Sequence, residues 1–77
     1  MNATTTPDAT DLAGWRRLLA QATGFDDRRA LVRAWATALH AAEADGVLHL
    51  PPDVDHDAAG ALYFWAISTG VPLRLPR

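Results

Sequence analysis

The stretch FDDRRALVRAWATALHAAEADG, residues 25–46, decides the fold. Within it Leu31, Trp35, Leu39 and Ala42 recur at three- and four-residue steps, and Val32, Ala36 and Ala38 widen the stripe, which is the pattern of a helix with one buried face. Asp26 or Asp27 is placed to cap it, and Gly46 to stop it. Arg29, Arg33, Thr37 and His40 fall on the opposite side at helical spacing, as a solvated ridge would.

Upstream, Leu12, Trp15, Leu18, Leu19 and Ala22 describe a second apolar stripe, with Asp8 or Thr10 as its cap and Asp8 and Asp11 suited to the positive end of its dipole. Gly24 is expected to close that helix in the left-handed conformation, with Phe25 folding back on its last turn. A connection this short makes the two helices an antiparallel hairpin with Trp15 and Trp35 facing a shared core. Residues 1–8 are small and polar and read as a disordered lead to a single domain over residues 9–77.

Downstream the character changes. Asp53, Asp55 and Asp57 mark the start of a third helix running from Ala58 to Ser68, with Gly70 as its left-handed terminator. The flanking runs 47–50 and 71–75 alternate apolar and polar residues, so each is either a short strand or extended coil. As strands they would form a parallel crossover around the third helix, with Pro72 at an edge. The fold expected is therefore mostly α, an antiparallel helical hairpin plus a third helix, with α+β as the variant if 47–50 and 71–75 pair.

Composition narrows the chemistry. The chain has 77 residues, a formal charge of −2, sixteen alanines, seven arginines, one serine, no lysine and no cysteine, the bias of a GC-rich genome such as a high-GC bacterium or its phage. A phosphate loop or Schiff-base enzyme needs a lysine, and a thiol enzyme or zinc ribbon needs cysteines. The start of the chain has no signal-peptide pattern and no stretch approaches a membrane span, so a cytoplasmic protein with no membrane partner is expected.

Residues that could carry chemistry lack the required spacing. If Asp53 opened a calcium loop, Ala58 would occupy the glycine position and Phe64 the bidentate glutamate position. His40, His49 and His56 form no metal-ligand motif, and Ser68 sits at a helix end with no adjacent base. No catalytic residue, metal or cofactor is expected; His56 with Asp55 or Asp57 is the least favoured reading. Arg16, Arg17, Arg28, Arg29 and Arg33 gather near the first inter-helix turn and make a DNA-binding regulator the alternative, although Asp26 and Asp27 offset their field.

The run Tyr63-Phe64-Trp65 carries more weight. Consecutive helical side chains point about 100° apart, so a small core cannot take all three from one face. The expectation is a non-enzymatic interaction module, an adaptor, docking unit or inhibitor that binds another protein or a second copy of itself. Tyr63, Phe64, Trp65, Leu73 and Leu75 would supply apolar contact, and Arg29 and Arg33 rim charges.

Two stretches have partial family likenesses. From Arg28-Arg29-Ala30-Leu31-Val32 to Leu73-Arg74-Leu75-Pro76 the chain resembles the opening and close of a polyketide acyl-carrier domain, but without the Asp-Ser-Leu that would hold a pantetheine arm. Residues 47–75 resemble half of an anti-sigma-factor antagonist, with Asp57-Ala58-Ala59-Gly60 where that family has its phosphorylated serine motif. Neither functional motif is present, so neither family is assigned.

Overall fold

The computed structural model describes residues 7–76. In chain order the elements are α1 (Leu12–Gln21), α2 (Phe25–Ala38), β1 (Ala42–Ala44), β2 (Val47–His49), α3 (His56–Thr69) and β3 (Leu73–Arg74). Among the described residues three helices and a small sheet make the fold predominantly helical, as the periodicity implies.

The helix at the N-terminal end begins later than its outermost cap candidates. Asp11, rather than Asp8 or Thr10, is the N-cap, and its carboxylate accepts the Gly14 amide at 3.0 Å. The residues before it are tied down by tryptophan. The Trp15 indole N–H donates to the Asp8 carbonyl and the Trp35 indole N–H to the Ala9 carbonyl, each at 2.9 Å. A buried indole needs an acceptor, and the segment Asp8–Ala9 supplies both. Of the lead expected over residues 1–8, residues 1–6 lie outside the described residues.

Gly24 is not a left-handed terminator. Its φ of −150° is extended, and it stands as the N-cap of α2 while α1 ends at Gln21 with Ala22 as its C-cap. Phe25 is consequently the first residue of α2 and largely exposed, and Asp26 and Asp27 lie in the first turn instead of capping it. There their charges still favour the helix by facing the positive end of its dipole. Trp15 and Trp35 stack with ring centroids 5.5 Å apart and planes within 6° of parallel, both fully buried.

The largest departure from the periodic pattern lies at the end of α2, where the apolar stripe had pointed to a helix reaching Gly46. The helix stops at Ala38. His40 takes a left-handed φ of 67°; its amide donates to the Thr37 carbonyl, and the Ala41 amide donates to the Ala36 carbonyl, both at 2.9 Å. That pair of bonds is the Schellman arrangement that ends helices, here built on a histidine instead of a glycine. Ala42 therefore leaves the helix and enters β1, exposed.

Asp45 and Gly46, with φ of 54° and 78°, then form the two-residue turn of a β-hairpin. Positive φ at both central residues is the type I′ geometry that matches the twist of antiparallel strands. β1 pairs antiparallel with β2, Glu43 opposite Leu48. β2 pairs parallel with β3, Leu48 opposite Leu73 and His49 opposite Arg74, giving the strand order β1-β2-β3. The paired residues are 47–49 and 73–74, shorter than the alternating runs 47–50 and 71–75.

α3 starts on Asp55, whose carboxylate accepts the Ala58 amide at 3.0 Å. Past its end Gly70 is left-handed, φ 78°, and the Val71 amide donates to the Ala66 carbonyl at 2.9 Å. The core gathers Trp15, Leu19, Val32, Trp35, Leu39, Leu48 and Leu62 with smaller residues of α3 between them.

Candidate docking surface

α3 packs against α2 and β3 with its smaller residues. Ala58, Ala59, Leu62, Ala66 and Thr69 are buried, so three of the five inward positions are alanines. Short side chains let the neighbouring backbones come close. The larger side chains are left on the other side: Phe64 is 64% exposed, Ile67 63% and Tyr63 37%. With Gly60 they lie at steps of three and four residues, which is a single outward stripe on the helix.

Trp65 is half-buried between the two faces and meets Phe64 edge to face, centroids 5.9 Å apart and planes at 86°. On one flank of the stripe Ala61, Phe64 and Trp65 meet Arg16 and Ala20 of α1 in a shallow groove of about 350 Å³. On the other, Tyr63 lines a groove with Leu73, Arg74 and Leu75. Leu75 is exposed there. Leu73, expected to make apolar contact with a partner, is instead core, 8% exposed and paired with Leu48. Alternation would put these two, spaced by two residues, on one face; β3 ends at Arg74, so Leu75 lies beyond the strand and is left outside.

Ile67 was not among the expected contact residues, although it stands three positions after Phe64 on the same face. Its signal was present in the spacing. Ile67 is in helical step with both exposed aromatics, four residues after Tyr63 and three after Phe64, which places it between them on the helix surface.

The arginines divide into two groups. Arg29 Nε donates to the Thr69 carbonyl at 3.0 Å, a second contact reaches Asp26 at 3.4 Å, and the guanidinium lies 5.5 Å from the centroid of the Phe25 ring. It thus joins α2 to the C-terminal end of α3, where free carbonyls and the negative dipole end favour a cation. Its side chain is still 48% exposed. Arg28, half-buried, reaches the Ala22 carbonyl past the end of α1 at 3.4 Å. Arg16, Arg17 and Arg33 are exposed, and among the described residues none of the three forms an ion pair.

The residues considered for chemistry are placed as helix furniture. Ser68 donates its hydroxyl to the Phe64 carbonyl at 2.9 Å, the back-bonding common for serine within a helix. Asp55 caps α3, and Asp57 lies in its first turn. Among the described residues no group of three histidine, aspartate or glutamate side chains is arranged to hold a metal ion, and no helix is long and apolar enough to cross a membrane. Compared with protein-family models, with curated proteins and with solved structures, the chain finds no match, so the outward face of α3 has to be understood from its own residues.

Proposed function

We propose that this protein is a cytoplasmic, non-enzymatic interaction module that docks another protein chain on the outward face of α3. One observation carries the proposal: the helix turns its alanines inward and Tyr63, Phe64 and Ile67 outward, the reverse of what burial within a single chain favours. A contiguous apolar stripe with polar or charged residues at its flanks has the make-up of the centre of a protein interface. Arg16 and Arg74 stand at those flanks, and Arg33 lies elsewhere, on the solvated ridge of α2.

The DNA-binding alternative is weaker. Two of the five arginines that suggested it, Arg28 and Arg29, have their guanidinium groups on main-chain carbonyls, and this reduces the charge free to neutralise phosphate.

A photo-crosslinking residue in place of Phe64, expressed in the native host, tests the proposal. It should give a discrete protein adduct that the same residue in place of Ala34, on exposed α2 surface, does not give. Equal, diffuse labelling at both positions would overturn it.

A further inference from the structure

The outward face of α3 carries features that its exposure alone does not require. Gly60 is the clearest of them. A Cβ built on it meets nothing within 4 Å, so the protein's own packing gives no reason for glycine in the middle of a helix. Glycine there lowers helix stability, and its common justification is the close approach of another backbone. Among the described residues no such backbone is present.

We propose that the occupant of this face is a second copy of the chain, with α3 packed antiparallel on α3 about a two-fold axis passing between Tyr63 and Phe64. The inference rests on the docking role proposed for this face. In that register Tyr63 of one copy lies opposite Phe64 of the other, and Gly60 lies opposite Ile67. The bare backbone at Gly60 receives the exposed branched side chain of Ile67, and the exchange occurs twice, as a two-fold interface demands.

Charge supports the same orientation. The N-terminal end of α3 carries Asp53, Asp55 and Asp57, whereas its C-terminal end carries Arg29 on the Thr69 carbonyl. Antiparallel packing brings the acidic end of each copy to the Arg29 end of the other and sets the helix dipoles antiparallel, positive end beside negative end. A parallel arrangement would bring the aspartates together.

The area points to a reversible dimer. With aromatic side chains able to bury about 150–250 Å², the exposed parts of Tyr63, Phe64 and Ile67 amount to roughly 300 Å² per copy. Contributions from Leu75, Ala61 and Trp65 bring the pair toward the lower bound of about 1,000 Å² for specific interfaces. The core is complete within one copy, so each protomer folds without the other.

Sedimentation equilibrium of the full chain between about 10 and 500 µM tests the dimer directly, and should show a monomer–dimer equilibrium within that range. Gly60→Leu should raise the thermal midpoint at low concentration, since it removes a helix-interior glycine, yet weaken dimerisation at least about tenfold by filling the space for Ile67. Register is read by cross-linking with a short bis-maleimide, because the chain has no cysteine of its own. A mixture of Gly60→Cys and Ile67→Cys should cross-link several-fold faster than either variant alone.

A wild-type chain that stays monomeric throughout, a Gly60→Leu dimer of unchanged strength, or Gly60→Cys linking to itself faster than to Ile67→Cys would each overturn the proposal. A monomer that still gives an adduct with a different protein from position 64 would overturn the dimer and leave the docking role standing. Loss of both signals would remove both.

Discussion

α2 and α3 are each 14 residues long, and they use their two sides in opposite ways. α2 buries Val32, Trp35 and Ala36 and turns Arg29, Arg33 and Thr37 outward, so hydrophobic burial and solvation agree on its orientation. α3 buries three alanines and a leucine and leaves Tyr63, Phe64 and Ile67 in solvent. Trp35 of α2 stacks on Trp15 of α1, and α3 meets α2 with a side made mostly of alanine. The difference separates what holds the protein together from what it offers to others.

The comparison breaks most visibly at Trp35. Trp35→Ala should cost about 3–5 kcal/mol, a large part of the stability of a domain this size, because it removes a fully buried ring and leaves Trp15 without its stack. Urea unfolding measures this; a loss under about 1 kcal/mol would mean the stack is not the centre of the core. Ala66→Leu probes the opposite limit on α3. Inserting a larger side chain at this buried position should cost about 1–3 kcal/mol in the same titration.

The helix ends offer a smaller and more diagnostic contrast. Both α2 and α3 close with a left-handed residue and the same pair of backbone bonds, but the residue is His40 in one and Gly70 in the other. A residue with a Cβ is strained in that conformation, by about 1–2 kcal/mol for repeated units, and glycine gives back part of this through its greater unfolded-state freedom. His40→Gly should therefore stabilise by about 0.5–1 kcal/mol and Gly70→Ala destabilise by about 1 kcal/mol, with opposite shifts in thermal midpoint. Gly70 has nothing within 4 Å of an added Cβ, so its effect is conformational and not steric.

The smallest expected change in fold stability lies on the face of α3. Phe64→Ser at a dilution where the protein is monomeric should alter unfolding by less than about 1 kcal/mol, despite removing an entire aromatic ring. Set beside Trp35→Ala, that result would show that the two aromatics serve different ends. A cost comparable to that of Trp35 would show that Phe64 belongs to the core.

Much of the fold was legible because local chemistry spoke for it. The α2 stripe, the aspartates at the start of α3, Gly70 at its end and the alternation around Leu48 and Leu73 each appear in the structure close to their expected places. The end of α2 was hidden by alanine. Ala41, Ala42 and Ala44 suit a helix, and so concealed a hairpin whose Asp45-Gly46 turn was a sufficient signal; the glycine was read as a helix stop when it was half of a turn. Gly24 misled in the opposite sense, since glycine serves at helix starts as well as ends. For the candidate site, the run Tyr63-Phe64-Trp65 implied that at least one aromatic would be exposed, because a small core cannot take all three, without saying which; Tyr63 and Phe64 are, and Trp65 is half-buried. Leu73 is core and Leu75 is not because the strand ends at Arg74, a boundary that the alternation over 71–75 does not reveal.

The sequence by itself determined that three helices form, roughly where they begin, and that the aromatic run could not all be buried. Only the tertiary structure decided which side of α3 faces inward, that α2 ends on His40, and that Arg29 reaches the end of another helix. The reason is physical. Periodicity fixes orientation when one side of a helix is apolar and the other polar, as in α2, but α3 is apolar almost all round. Its orientation is set by what it packs against, α2 and β3, which it meets with Ala58, Ala59, Leu62, Ala66 and Thr69.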